Sequence, residues 1–241
     1  MQSITQIVAP PAAVLDCACG PGHLVLGLAR MGYVTHGADI SPAMIRIARR
    51  HARELASNAQ FTVAAWHDLP RKVPRRFDVV LCTGNAIAHC HGEREMLHAL
   101  RGMYAVLKPG GALYLDTRCW EDYRRRRVRF DTFNAKVING ERLIWLNVRH
   151  YPPRFTDPHL IEVVVITEQG GGTAVKSFPV TYYPFRAEDL TRRLRAAGFD
   201  ETRTDFDADA PSYHVTCRAG IPEAVAQLPV AGRPGGRPLR Q

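Results

Sequence analysis

Along the first 116 residues, short apolar runs alternate with stretches whose apolar positions recur at helical spacing. The pattern predicts strand 14–17, helix 22–31, strand 33–39, helix 42–57 and strand 61–65. After a basic loop it predicts strand 77–82, helix 93–107 and, beyond the turn Lys108-Pro109-Gly110-Gly111, strand 112–116. Alternating β and α elements predict an α/β fold, an open, doubly wound, mostly parallel sheet with helices on both faces. The alternation stops after Asp116. Residues from about 120 to 181 read as extended, with β-rich pieces such as Leu160–Ile166, and predict an antiparallel insertion over the carboxyl edge of the sheet. A helix over 187–197, with Gly198 as its C-cap, and a strand near 213–218 return to the main sheet.

The first strand ends in an informative way. Val14-Leu15-Asp16-Cys17-Ala18-Cys19-Gly20-Pro21-Gly22 runs from buried strand into acid and then into a Gly-x-Gly turn. Glycines at 20 and 22 allow left-handed backbone and let a bulky ligand touch the main chain. Dinucleotide sites use G-x-G-x-x-G, but the third glycine position here is Val25. A nicotinamide cofactor is therefore disfavoured. S-adenosylmethionine, which has no phosphate, needs an open turn and an acid near its amino group, and Asp16 meets that need.

Later strand ends add chemistry. Asp39, followed by Ile40, closes the second strand roughly 20 residues past the turn, where such folds place a carboxylate for ribose hydroxyls. Ser41 and Pro42 start the next helix, with Met44, Ile47 and Ala48 as its apolar stripe; Met44 lies either in the core or against a purine. The third strand leads to Ala65-Trp66-His67-Asp68, the fourth to Thr83-Gly84-Asn85 and His89, and the fifth to Asp116-Thr117-Arg118. Trp66 either stacks on an adenine or packs the loop. Arg118 either holds a carboxylate or pairs with Asp116 or Glu121. His89-Cys90-His91 with Glu93 lacks the geometry of a metal site, and no metal is expected.

Composition narrows the class. A chain of 241 residues with 46% hydrophobic content supports one domain, taken as 1–219 with 120–181 as a β cap; 220–241, rich in Pro, Gly and Arg, is expected to be a disordered tail. Six cysteines without framework spacing and no signal-like start suggest reduced thiols in a cytoplasm, with no membrane partner. The net charge of +9 is concentrated in Arg124–Arg127 with Arg129, and in Arg71, Lys72, Arg75 and Arg76. Neither block interleaves aromatics, so a solvated surface or a funnel for an anionic substrate is favoured over nucleic acid.

The blocks VLDCACGPG, GADIS, AAW, LCTGNAIAHC, LKPGG, LDTRCWEDY and VTYYPFRAEDL occur in one order from Val14 to Arg218. In them the chain resembles class I S-adenosylmethionine-dependent methyltransferases, and most of all the glycine N-methyltransferase and glycine/sarcosine N-methyltransferase family. The resemblance implies a seven-stranded Rossmann-like sheet and methyl transfer to the amine of a small, carboxylate-bearing molecule. Ala18, Gly20 and Gly22 would hold the methionine part of the cofactor, Asp39 the ribose, and Trp66 with Ala65 and His67 the adenine. Thr83 would touch the cofactor through its main chain, Asn85 and His89 would line the reaction site, Arg118 would pair with the substrate carboxylate, and Tyr182 would add its hydroxyl. Three departures stand out. Ala65 replaces the family's Asn, Val148 falls near a family tyrosine, and the family's N-terminal lid segment has no counterpart before Met1. A methyltransferase for another metabolite, a nucleic-acid enzyme and a non-catalytic homologue remain as alternatives; a homo-oligomer is left open. Base-methylating enzymes place an Asn-Pro-Pro-aromatic motif after the fourth strand, where this chain reads Thr83-Gly84-Asn85-Ala86.

Overall fold

A computed structural model describes residues 2–132, 135–138 and 140–220. The elements are α1 (Gln2–Thr5), β1 (Ala13–Asp16), α2 (His23–Arg30), β2 (Val34–Asp39), α3 (Pro42–Glu54), β3 (Gln60–Val63), α4 (Leu69–Lys72), β4 (Phe77–Cys82), α5 (Glu93–Ala105) and β5 (Leu107–Arg118). They continue with α6 (Trp120–Arg126), β6 (Phe130–Thr132), β7 (Lys136–Ile138), β8 (Glu141–His150), β9 (His159–Gln169), β10 (Gly172–Tyr182), α7 (Ala187–Ala196), β11 (Phe199–Thr204) and β12 (Ser212–Ala219).

Seven strands form the main sheet in the order β11-β12-β5-β4-β1-β2-β3. β1 through β5 pair in parallel, and β12 runs antiparallel between β5 and β11. The order reverses at β1, so the crevice at its carboxyl end is where a doubly wound sheet binds ligands. The remaining strands form an antiparallel sheet, β10-β9-β8-β6, with β7 also on β8. Apolar runs such as Val79–Cys82 and Leu113–Leu115 are buried because helices cover both faces of the central strands.

Several expectations need correction. The stretch from 120 is not all extended: Trp120–Arg126 is a helix, with Glu121 and Asp122 in its first turn and three arginines in its last, matching the helix dipole. The arginine block faces solvent, as expected, with Arg125, Arg126, Arg127 and Arg129 exposed, and part of it is also structural: Arg125 and Arg126 pair with buried Asp122, and Arg124 donates to the carbonyls of Pro152 and Pro153. The turn Lys108–Gly111 lies within β5 as an irregularity rather than before it. Phe199–Thr204 forms an edge strand that the pattern did not predict. Gly198 falls one residue beyond the cap, Ala197. In α3 the buried stripe is Ile45, Ala48 and Ala52, and Met44 is exposed. The expected tail beyond residue 220 lies outside the described residues. No helix among the described residues is long and apolar enough to cross a membrane.

One close approach fixes the loop after β3. A Cβ on Gly102 of α5 would stand 2.1 Å from the Trp66 carbonyl oxygen. Gly102→Ala gains about 1 kcal/mol of helix propensity. It loses more through overpacking, which costs about 1–3 kcal/mol and here strikes backbone. With the upper part of that cost, the variant is expected to be about 1–2 kcal/mol less stable in urea unfolding; an unchanged or higher midpoint would contradict this packing.

Candidate active site

The Gly-x-Gly turn is tied to both neighbouring strands. Cys17 N donates to Leu81 O on β4 at 2.9 Å, and Cys19 N donates to Ala38 O on β2 at 3.0 Å. Gly20 has φ +50° and Gly22 +84°. Nothing lies within 4 Å of a Cβ built on Gly20, so its backbone faces open space at the sheet edge. Gly20 N donates to Asp39 Oδ2, and Ser41 N donates to Asp39 Oδ1, both at 2.8 Å. Asp39 therefore clamps the turn to the start of α3 while each oxygen keeps a free lone pair.

Three carboxylates gather here. Asp16 is buried and accepts from Ala18 N at 3.2 Å. Burial, reinforced by the charges of Asp39 and Asp116, pushes its pKa up to about 7. Asp116 Oδ1 accepts from Asn85 N at 2.9 Å. Among the described residues, no Lys, Arg or His side chain forms an ion pair with any of the three. A crevice of unbalanced negative charge favours a cationic ligand.

Asn85 sits in the left-handed region (φ 60°, ψ 23°). Its Oδ1 accepts from Thr117 Oγ1 at 2.9 Å and Arg118 N at 3.1 Å. These two donors fix the amide orientation and leave the buried Nδ2 without a partner. Arg118 ends β5 with its guanidinium 4.8 Å from the Tyr182 ring centre and 5.7 Å from that of Tyr123. Its Nη1 is buried and unpartnered. The pairing with Asp116 or Glu121 does not occur. Asp116 holds Asn85 N, and Glu121 Oε1 accepts from Ala187 N at the start of α7.

The smaller sheet delivers Tyr182 to this edge. Tyr183 N donates to Ala88 O at 2.8 Å, pinning the end of β10 to the loop after β4. The His89 ring lies 4.7 Å from that of Tyr182. Partial desolvation and the Arg118 charge hold the His89 pKa below its ordinary value, which favours the neutral imidazole. His91 instead stacks on Tyr183, and Glu93 receives Arg193; among the described residues no three potential ligands gather for a metal.

The other predicted residues divide. Thr83 is half-buried just past β4. Trp66 packs the loop, its indole donating to Cys17 O at 2.9 Å with the ring against the core. Ala65 precedes it and His67 is exposed. Asp68 is engaged by Arg71, whose hydrogen bond holds its carboxyl below the usual range. Ile40, 72% exposed, and Met44, 38% exposed, leave an apolar pair beside Asp39. Val148 faces away from Tyr182, because its cross-strand partner is Glu162 whereas Tyr182 pairs with His159. His159, Trp120 and Tyr123 were not picked out from sequence. His159 is buried, its Nε2 unpartnered, and burial takes its pKa down to about 4. Trp120 touches both His159 and Tyr182, each ring centre 5.7 Å away.

Residues 14–111 match the family model described as a methyltransferase domain. The chain is 38% identical over 204 residues to a glycine/sarcosine N-methyltransferase of Parasynechococcus marenigrum, covering 84% of this chain and 70% of that one. It is 27% identical over 204 residues to the glycine N-methyltransferase of Oryctolagus cuniculus, covering 76% and 68%. An S-adenosylmethionine-bound amino pentose methyltransferase from Micromonospora echinaspora shares the fold at TM-score 0.71 and 20% identity, with coverage of 90% and 87%. The sheet order, the Gly20 turn and these likenesses agree: the chain belongs to the class I S-adenosylmethionine-dependent methyltransferases, among whose N-methylating members it finds relatives across most of its length.

Proposed function

We propose that this enzyme methylates the amine of a small carboxylate-bearing molecule of the glycine or sarcosine kind. The observation that supports this most is Arg118, a cation at the sheet edge with a buried, unpartnered Nη1 and, among the described residues, no ion pair to a carboxylate. A guanidinium fork suits a carboxylate, and the rings of Tyr123 and Tyr182 pack near it.

The residues fit the cofactor. Bound S-adenosylmethionine supplies an electrophilic methyl on a sulfonium. Asp16 would meet its ammonium group, the main chain at Ala18, Gly20 and Gly22 would hold its methionine part, and Asp39 its ribose. Ile40 and Met44 would offer an apolar face to the purine, with Ala65, Trp66, His67 and the Thr83 main chain also contributing to its site. On the acceptor side, Arg118 places the substrate by its carboxylate. Asn85 and Tyr182 direct polar groups at the amine, which aligns it for in-line transfer. Neutral His89 can accept a hydrogen bond from the amine. No dedicated base is required if the amine enters unprotonated.

Asp16 gives this reading a pH signature. Its carboxylate faces a cationic group only above its pKa of about 7. The dissociation constant for S-adenosylhomocysteine is expected to rise toward tenfold per pH unit as pH falls below about 7. Because the folded pKa is raised from 3.8, the ligand-free protein should lose stability as pH rises from about 4 through about 7, and ligand should restore it. Calorimetric titration across this range checks both; a flat affinity profile would place Asp16 away from the ligand's charge.

The acceptor class is tested with a panel of primary and secondary amines, with and without carboxylates, and labelled cofactor. Transfer is expected to the carboxylate-bearing members. Equal transfer to their decarboxylated counterparts would overturn the reading.

A further inference from the structure

The strands of the smaller sheet have a face that points away from Arg118. The register assigns it. Tyr182, His159, Ile161, Asn147 and Arg149 alternate with residues on the opposite side, and that opposite side includes Ile144, Leu146, Val148, Leu160, Val164, Ile166 and Val175. Phe130 and Val137 extend it, through their pairing with Val148 and Arg142. These side chains are not core. Phe130 is 61% exposed, Val137 72% and Val175 62%, and the others are only half-buried, screened by one another rather than by a covering layer.

The layout of this face is that of an interface. Its centre is aliphatic. Two ion pairs flank it, Arg142–Glu168 at one end of β8 and β9 and His150–Glu162 toward the other. An apolar centre with a charged rim is how specific protein contacts are built. Monomers rarely expose a contiguous apolar patch larger than a few hundred Å². β8, β9 and β10 are 10, 11 and 11 residues long. With the three residues each of β6 and β7 as a short fourth column, about 4.8 Å spacing and about 3.3 Å per residue give roughly 600 Å² per copy. Doubled, that is roughly 1,200 Å², at the lower end of the range of about 1,200–2,000 Å² for stable interfaces.

We infer that this face packs against the same face of a second copy of the chain, forming a two-fold β-sandwich dimer. A second copy fits because the patch is self-complementary. It is aliphatic on both sides, and its two rim pairs each carry both signs, so a two-fold partner meets no excess of like charge. The dimer buries the Val148 and Val164 face of the sheet and leaves the Tyr182 face free, so the inference does not depend on the acceptor proposed above.

Sedimentation equilibrium of the full chain at micromolar concentration tests it. The wild type is expected at twice 26.9 kDa. Leu146→Arg and Val164→Arg, which bury an unpaired charge in the interface, should weaken association by at least about 100-fold. Phe178→Arg, on the opposite face of the same sheet, should leave it unchanged. The milder Val164→Thr, with S-adenosylhomocysteine binding as a check on folding, guards against variants that fail to fold, and should weaken association while ligand binding is retained. A monomeric wild type would overturn the inference. So would a dimer indifferent to Leu146→Arg and Val164→Thr, or one broken by Phe178→Arg alone.

Discussion

Arg118→Ala is expected to lower kcat/KM for a carboxylate-bearing amine by about 1,000-fold, or about 4 kcal/mol, while changing the affinity for S-adenosylhomocysteine less than about threefold. The magnitude follows from the surroundings. Arg118 Nη1 is buried without a partner, and the guanidinium stacks on Tyr182. A carboxylate bound there would be largely desolvated, so losing the Arg118 cation would leave an uncompensated charge, a far larger effect than at an exposed ion pair. The loss should appear in KM and kcat together, because the same contact binds the acceptor and orients its amine. Steady-state kinetics with varied acceptor and varied cofactor separate the two sides. Equal damage to both would make Arg118 a structural residue.

Asp39→Ala acts on the other side and is expected to weaken cofactor binding by at least about 100-fold. Each carboxylate oxygen accepts a backbone N–H, from Gly20 and from Ser41, at 2.8 Å. Charge-assisted hydrogen bonds of this kind contribute about 1.5–3 kcal/mol each. Removing the acceptor frees the turn from α3 and deletes the expected ribose contact, so ligand affinity and ligand-free stability should fall together. Asp39→Asn keeps one acceptor oxygen and should recover part of the stability but little of the affinity. Thermal unfolding with and without S-adenosylhomocysteine checks the pair; an unimpaired ligand-induced shift in the alanine variant would contradict this role.

The cofactor side was legible in sequence because its determinants are local. An acid ending an apolar run, two glycines and a second acid one βα unit later are adjacent in chain and in space. The phase of α3 was not legible. Met44-Ile47-Ala48 and Ile45-Ala48-Ala52 are both plausible stripes, and the second is the one that packs beneath Phe61. α6 was missed because its stability is tertiary. Asp122 is buried under Arg125 and Arg126, and Arg125 also reaches Asp209, distant in sequence. His159 opens a β-branched run with nothing to mark it, and only the register opposite Tyr182 brings it to the acceptor side. The structure also decided what residue type left open. Asp116 and Glu121 hold backbone amides, so among the described residues neither pairs with Arg118.

The central claim joins Arg118 to the acceptor carboxylate across from the Gly20 turn. It is tested most directly by measuring kcat/KM for an amino acid and for the amine lacking its carboxylate, in the wild type and in Arg118→Ala. The account predicts a preference of about 1,000-fold in the wild type that collapses to near unity in the variant. A preference of the same size in both proteins would contradict it.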